Sequence, residues 1–385
     1  MENGHPFGSA LPFSEGLLGD AMPRGVAQPE SFDGRKARIA YITSPRELEG
    51  EGVGYDARIT PTLGFLMQRI REGTHGLQDA EIAAVVVDDD GTERRQRVPG
   101  SGAGTTPSET FCYLRDACRE SGAVFHLEPS SGWRSIPRSR SGEKHCAKME
   151  FEGRLLAFMR ENDIDVIFSD SYVVLFNSAM LDNATGFRGL IINVHPAIAE
   201  EVPGVFPNFD ALARARHFTD DPAEREEIIS AIGAGASTVA IRRGKYDESI
   251  IRICRKQGVE PRQDETHIHV PVKESGIGYA FTGATVHEVD ELIDHGPVVA
   301  VSRSTPIRVS DSVHALRTRN YATKNEAAAH GIGTFLARES TAQLITENRI
   351  RNRAYAGGCN RAVALQAPQR MDSMNVQGIT ARMQQ

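Results

Sequence analysis

Short apolar runs alternate with amphipathic segments along the chain from residue 36 onward. Nearly continuous apolar runs of this kind are typical of strands that are buried on both faces of a parallel sheet. We therefore predict strands at residues 37–42, 82–87, 123–127, 165–168, 190–194, 284–289 and 298–301.

Between these strands, apolar residues recur every three or four positions, which is the spacing of one face of a helix. One stripe contains Leu63, Leu66 and Ile70, and another contains Phe151 and Leu155. The predicted helices cover residues 61–71, 148–162, 312–319 and 326–344. Alternating strands and helices predict an α/β fold with a Rossmann-like, doubly wound, mostly parallel sheet.

The two ends of the chain differ from this pattern. Residues 1–35 are rich in glycine and proline and lack aliphatic periodicity, so we interpret them as a disordered arm. Residues 346–385 are interpreted as a mobile C-terminal tail because of their Gln, Met, Arg and Gly content. One catalytic-sized domain, residues 36–345, lies between the two ends.

Three segments interrupt the alternation inside that domain. Residues 88–110 and 128–144 are rich in Gly, Ser, Pro and Arg, which is typical of long surface loops. An insertion at about 219–278 contains a helical pattern at 222–232 and an alternating strand pattern at 267–272. We interpret the insertion as a subdomain or a lid.

Composition narrows the classes of function. The 385 residues are 40% hydrophobic and 25% charged, and a formal net charge of −7 provides no general attraction for nucleic-acid phosphates. No window approaches the roughly 20 apolar residues of a membrane span. The five cysteines form no C-x-x-C pair, which disfavours a disulfide framework. We expect a cytoplasmic protein that acts on small molecules, without a nucleic-acid or membrane partner.

Two features that suggest a cofactor or a metal are weak. Gly50, Gly52 and Gly54 lie too far after the first predicted strand for a dinucleotide site, which needs a glycine turn directly between strand and helix. His267 and His269 would share one face of a strand, but no third or fourth ligand is evident nearby. We therefore predict no metal site.

The strongest chemical signal is Asn193-Val194-His195-Pro196 at the carboxyl end of a buried strand, followed about a hundred residues later by Asp294-His295-Gly296-Pro297. Residues two apart on a strand project to the same side. Asn193 and His195 can therefore donate hydrogen bonds to one developing oxyanion, and a carboxylate nearby can accept a proton. A strand-end histidine and a turn aspartate without catalytic roles would give the same spacing.

These two motifs, in this order, resemble those of the folate-dependent formyltransferase family. The similarity covers about residues 165–319 without the insertion. It implies that Asn193, His195 and Asp294 are the catalytic residues and that 10-formyl-tetrahydrofolate is the formyl donor. The pterin of the donor would be held by backbone groups of two segments, which contain Ser169, Asp170, Tyr172, Leu175, Val289, Asp290 and Leu292.

Departures from the family pattern reduce the range of possible acceptor substrates. The turn after the first strand, residues 43–48, contains Pro45 and Glu47 and is a poor phosphate cradle, which disfavours glycinamide ribonucleotide. The end of the chain after residue 318 is too short and too weakly basic for a tRNA-binding domain. The first turn is similar to that of enzymes that formylate hydroxylated amino acids for siderophores. Asp170 and Glu201 are candidates for binding a substrate ammonium.

The resemblance thus implies an N-formyltransferase that acts on a small amine or hydroxylamine in siderophore or specialised metabolite biosynthesis. Two other activities stay open, namely hydrolysis of formyl-tetrahydrofolate, with water in place of the amine, and NAD-dependent oxidoreduction. A folate or small-molecule binding module without activity is a further alternative. A homodimer formed through the insertion or the C-terminal helix is a hypothesis that nothing in the sequence tests.

Overall fold

The computed structural model describes residues 34–44, 62–88, 107–172, 176, 179–202, 207–256, 258–272, 281–292, 294–308 and 310–356. Most of the predicted arm, the glycine cluster at 50–54 and Leu175 lie outside these residues. So does the tail after residue 356.

A seven-stranded sheet in the order β10-β9-β5-β4-β1-β2-β3 forms the centre of the molecule. The strands β1 to β5 pair in parallel, whereas β9 pairs antiparallel with both β5 and β10. The predicted α/β fold with a mostly parallel sheet is therefore confirmed. The strand bounds are β1 Ala37–Thr43, β2 Ala80–Val87, β3 Val124–Leu127, β4 Val166–Asp170, β5 Ile191–His195, β9 Phe281–Glu288 and β10 Val298–Pro306.

Helices pack around this sheet. Their bounds are α1 Thr62–Glu72, α2 Pro107–Ser121, α3 Ser131–Arg134, α4 Ser141–Glu161, α5 Pro207–Ala215, α8 Val313–Leu336 and α9 Glu339–Ala356, with a short 3₁₀ turn at Arg138–Arg140. None of the described helices is both long enough and apolar enough to cross a membrane.

The predicted loop at 128–144 is wrong from residue 131 onward, because that part contains α3, the 3₁₀ turn and the first turn of α4. Residues 107–110 of the other predicted loop belong to α2, which the sequence prediction missed. In α2 the pattern is weak because only Leu114 and Cys118 are buried hydrophobics among the side chains that the structure describes there. Tertiary packing stabilises such helices more than propensity does.

The insertion folds around a hydrophobic cluster of its own. It contains α6 Pro222–Gly233, α7 Asp247–Lys256 and a three-stranded antiparallel sheet of β6 Thr238–Arg242, β8 His267–Pro271 and β7 Arg262–Gln263. Its core includes Ile241, Ile253 and Ile268, and the same cluster includes Ala197 and Val202 from the segment that follows β5. The insertion therefore packs directly against a segment of the central domain.

Helix α8 is one continuous helix where two helices, 312–319 and 326–344, were predicted. A central stretch of small residues lets it approach the sheet closely, since a Cβ at Gly331 would lie 2.7 Å from the side chain of Val286 on β9. The helix ends at Leu336, and α9 begins at Glu339. The gap between the two predicted helices, residues 320–325, contains the polar residues Asn320, Lys324 and Asn325, which tertiary contacts bury, so no apolar stripe marked this part of the helix.

Helix α9 continues past residue 346, where the tail was predicted to begin, to Ala356. Arg349 on α9 forms a buried ion pair with Asp165, with 2.7 Å between Arg349 Nη2 and Asp165 Oδ2. Arg349 also donates to the carbonyl of Lys36, just before β1. These contacts hold α9 against the amino ends of β1 and β4, a pairing of distant residues that local composition does not reveal.

The closest contact of α8 predicts a stability effect. A Cβ at Gly333 would lie 1.7 Å from the carbonyl oxygen of His75, so Gly333→Ala must displace the helix from the α1–β2 turn. We expect a loss of about 1–3 kcal/mol in the free energy of unfolding, measured by denaturant titration. Gly153→Ala on α4, where a Cβ meets nothing within 4 Å, should instead add about 0.5–1 kcal/mol. Equal effects of the two substitutions would contradict the close approach.

Candidate active site

The site is built on the antiparallel pairing of β5 with β9. In this register Asn193 lies opposite His287, and His195 lies opposite Thr285. On the other side of β5, Asn193 is the register partner of Ser169 on β4. The predicted pair Asn193 and His195 therefore lies inside the sheet, between two neighbouring strands, where its backbone is held on both sides.

Asp294 reaches this pair from the loop between β9 and β10. Its backbone has a φ of +52°, in the left-handed region that Asp tolerates better than most residues. Gly296 lies against the strand end, since a Cβ there would be 1.8 Å from the carbonyl oxygen of Glu288. The tight loop turns back over the strands and places the Asp294 carboxylate 3.2 Å from His195 Nδ1. The side chains of His195 and Asp294 are 4% and 10% exposed.

His287 is a further polar residue of the site, which the sequence analysis missed. Its Nε2 lies 3.1 Å from Asn193 Nδ2 and 3.4 Å from Asp294 Oδ1. Its Nδ1 lies 2.8 Å from the Glu288 carbonyl oxygen, which can only accept, so Nδ1 carries a proton. Only antiparallel pairing of residues 284–289 with residues 190–194 places His287 opposite Asn193. The sequence predicted a mostly parallel sheet, so it did not bring these two residues together.

The His195 ring is held at both nitrogens. Nε2 lies 2.8 Å from the carbonyl oxygen of Val202, and Nδ1 faces the carboxylate of Asp294. Because both neighbours accept hydrogen bonds, the doubly protonated, positively charged ring satisfies this arrangement. Among the described residues, the site thus combines an imidazole held between two acceptors, a carboxylate and an amide donor, and the side chains of His195 and Asp294 are largely buried.

The segment after β5 is anchored from two directions. Thr285 Oγ1 accepts from the amide of Ala199 and donates to the carbonyl of Ala197, each at 3.0 Å. From α8, the side-chain amide of Asn320 donates to the carbonyl oxygen of Pro196 at 2.9 Å. These contacts hold the segment that carries the Val202 carbonyl oxygen, the partner of His195 Nε2.

Glu201, a candidate for binding a substrate ammonium, pairs instead with two arginines in the structure. Its carboxylate lies 3.3 Å from Arg214 Nη1 on α5 and also contacts Arg303 on β10. The side chains of Glu201 and Arg214 are 13% and 5% exposed. The two ion pairs connect the segment after β5 to α5, which precedes the insertion, and to β10 at the edge of the sheet.

Asp170, predicted to contact the donor, has both carboxylate oxygens engaged within the protein. Oδ2 accepts from the Tyr41 hydroxyl at 2.5 Å, and Oδ1 accepts from Ser171 Oγ at 3.0 Å and pairs with Lys324. Burial raises the pKa of Asp170, but the charge of Lys324 and these hydrogen bonds outweigh it, so the pKa is lowered overall. Burial and the neighbouring carboxylate raise the pKa of Tyr41, which therefore remains a neutral donor.

The other predicted donor-binding residues occupy the segments after β4 and β9. Tyr172 stacks on Phe176 with 5.5 Å between ring centroids, and burial raises the pKa of its hydroxyl. The Val289 amide donates to the Ile191 carbonyl at 2.9 Å. Asp290 accepts from the amide of Leu292, a side chain that is 59% exposed. Val289, Asp290 and Leu292 lie in the loop between β9 and β10, which also carries Asp294.

The histidines of the insertion pair with an aspartate. His269 Nε2 lies 2.8 Å from Asp264 Oδ2, and the His267 amide donates to the other oxygen of that carboxylate. In the described part of the chain, no group of three or more His, Cys, Asp or Glu side chains has a metal-binding arrangement.

The overall fold is one that occurs among folate-dependent formyltransferases. A solved structure that shares it is PvdF of pyoverdin biosynthesis, described as a structurally unique N10-formyltetrahydrofolate-dependent formyltransferase. The two are 21% identical with a TM-score of 0.50, over 77% of this chain and 98% of PvdF. No family model matches the sequence, and no curated protein matches it.

Other solved structures align more loosely. Glycinamide ribonucleotide transformylase 1 from Symbiobacterium toebii is 18% identical over 78% of this chain and 87% of its own, with a TM-score of 0.39. A formyltetrahydrofolate deformylase from Pseudomonas syringae pv. tomato is 12% identical over 78% of this chain and 61% of its own, also with a TM-score of 0.39.

The two hydrogen bonds of Thr285 predict a local effect. Thr285→Val keeps the shape of the side chain but leaves the Ala199 amide and the Ala197 carbonyl without this partner, at a cost of about 1–3 kcal/mol. Hydrogen exchange of the amides at 198–202 should become faster.

Thr282→Val is the matched control for Thr285→Val. Thr282 lies on the same strand and is as deeply buried, and its Oγ1 has no hydrogen-bond partner among the described residues. We expect a change in stability below about 0.5 kcal/mol. Unchanged exchange at 198–202 in Thr285→Val would show that the hydroxyl does not anchor this segment.

Proposed function

We propose that the protein is an N-formyltransferase that moves a formyl group from 10-formyl-tetrahydrofolate to the amine or hydroxylamine nitrogen of a small molecule. The observation that carries this proposal is the buried cluster of Asn193, His195, His287 and Asp294. The resemblance to formyltransferases in the two motifs and the fold shared with PvdF support it. A hydroxylated amino acid, formylated for a siderophore or another specialised metabolite, is the proposed acceptor.

Each polar group of the cluster has a role in this chemistry. The lone pair of the acceptor nitrogen attacks the formyl carbon, and the carbonyl π electrons move to the oxygen. Asn193 donates a hydrogen bond to this oxyanion, and His195 does so when its Nε2–H exchanges the Val202 carbonyl oxygen for the oxyanion. Asp294 accepts the proton that the attacking nitrogen loses. When the oxyanion collapses, the bond to N10 breaks and N10 takes the proton that Asp294 accepted, directly or through water, which gives the N-formyl product and tetrahydrofolate.

His287 orients the amide of Asn193 for this reaction. The Asn193 amide has two N–H donors, and in the neutral form of His287 the ring Nε2 accepts one of them at 3.1 Å. The second donor is then directed away from His287. A donor that is already oriented costs no reorganisation when the oxyanion forms, which is the physical basis of catalysis by preorganised dipoles.

The residues after β4 suit the ring system of a folate. Tyr172 is partly exposed and stacks on the buried Phe176 close to the strand that carries Asn193, and flat heteroaromatic ligands bind preferentially against aromatic side chains. Backbone groups of this segment and of the loop at 289–294 would hold the polar edge of the pterin. When bound, the folate supplies the activated formyl group.

The proposal predicts the outcome of a direct assay. With 10-formyl-tetrahydrofolate and a panel of primary amines and N-hydroxylated amino acids, release of tetrahydrofolate should require an acceptor and should match formamide formation mole for mole. Both products are measured, one by absorbance and the other by mass spectrometry. Release without acceptor would identify a hydrolase instead, and binding of NAD without any formyl transfer would support an oxidoreductase.

Asn193→Ala removes one oxyanion donor. We expect kcat to fall by about 10²- to 10³-fold with a smaller change in KM, since the lost hydrogen bond forms fully only in the transition state. Asn162→Ala is the control, because the Asn162 amide donates only to the Phe158 carbonyl at the end of α4, away from the site. Activity of Asn193→Ala within threefold of the parent protein would contradict the assigned role.

A further inference from the structure

A buried ion pair at the carboxyl end of β4 has no role in the proposed chemistry. Lys324 on α8 pairs with Asp170, and the two side chains are 4% and 6% exposed. Burying two charges costs several kcal/mol each, and apolar residues of similar size are often equally stabilising. The presence of such a pair beside the site therefore calls for an explanation other than stability.

Both members of the pair contact Ser171, whose backbone has an unfavourable conformation. Ser171 has a φ of +56°, which costs a non-glycine residue about 1–2 kcal/mol. Its hydroxyl donates to Asp170 Oδ1 at 3.0 Å and accepts from Lys324 Nζ at 3.4 Å. The charged pair thus holds the hydroxyl of the residue at which the chain turns sharply out of β4.

The segment that leaves this turn is the proposed donor-binding segment. Tyr172 follows Ser171 directly and stacks on Phe176. The cluster of Asn193, His195 and His287, by contrast, is positioned by β5 and β9. A displaced turn would therefore move the aromatic pair while it leaves the reacting groups in place.

We propose that Lys324 is a positioning residue for the formyl donor, which acts through Asp170 and Ser171 to set the direction of the chain after β4. This inference rests on the proposed function. It assigns Asp170 to the support of the donor site and not to direct contact through its carboxylate. It also gives α8 a second role besides packing.

The polar groups that face this pair come from two elements, β1 and α8. Tyr41 on β1 donates to Asp170, and Tyr321 on α8 places its ring centroid 5.2 Å from Lys324 Nζ. In Lys324→Met the Asp170 carboxylate loses the cationic partner that it has in the described part of the chain. The carboxylate must then take up a proton or reorient towards water, and either change releases Ser171.

The other end of the same strand offers a matched control. Arg349 and Asp165 form an ion pair of similar burial just before β4, with side chains that are 8% and 0% exposed. Arg349→Met and Lys324→Met should both lower the melting temperature of the full-length protein. Only Lys324→Met removes a contact to the turn at Ser171.

The experiment measures binding of 5-formyl-tetrahydrofolate, a stable folate, to the full chain by titration calorimetry, with steady-state kinetics alongside. We expect Lys324→Met to weaken folate binding by about tenfold or more and to raise the KM for the donor, while kcat at saturating donor changes by less than about threefold. Arg349→Met should leave the Kd within about twofold. Lys324→Arg, which keeps the charge, should restore part of the affinity.

The outcomes separate the two proposals. Failure of the parent protein to bind the folate would overturn the proposed function, and this inference with it. Folate binding by the parent with equal losses in Lys324→Met and Arg349→Met would overturn the inference alone. If Lys324→Met does not fold, Ser171→Ala replaces it, since it removes the hydroxyl that joins the ion pair to the turn and keeps both charges. An unchanged Kd in that variant would equally contradict the positioning role.

Discussion

The arrangement of the site depends on one pairing, the antiparallel ladder between β5 and β9. A parallel neighbour at this place would not put His287 beside Asn193 or Thr285 beside His195. The same ladder begins the loop that returns Asp294 to the His195 ring. Because the side chains of a ladder alternate with a period of two, a shift of one residue would turn every one of these groups to the opposite face. The register of two strands thus determines the geometry of the candidate site.

Buried charge is the second constraint. The carboxylate of Asp294 lies between two histidines, Glu201 lies between two arginines, and Asp170 pairs with Lys324. Each of these groups would be costly to bury alone, so each is tied to partners on a different element. Strands, the segment after β5 and α8 are therefore held in fixed relation around the site. A preorganised site of this kind is what oxyanion stabilisation requires.

Much of the sheet could be predicted from local sequence, and particular helices could not. The strands are recognisable because buried parallel strands consist of continuous apolar runs, as in β2 and β4. Helix α8 was divided in two because its buried face at 320–325 consists of the polar residues Asn320, Lys324 and Asn325, which carry no hydrophobic signal and are buried only through partners on other elements. The extension of α9 to Ala356 depends on Arg349, whose partner Asp165 lies far away in the sequence.

By itself, the sequence determined the α/β class and the candidates Asn193, His195 and Asp294, because strand periodicity and short motifs are local properties. Three further features are visible only in the tertiary structure. His287 lies in the site beside Asn193, Asp170 forms an ion pair with Lys324, and α9 contacts the sheet through Arg349. These contacts link residues that are dozens to hundreds of positions apart. Their formation depends on strand register and on the pairing of buried charges, which no window of neighbouring residues contains.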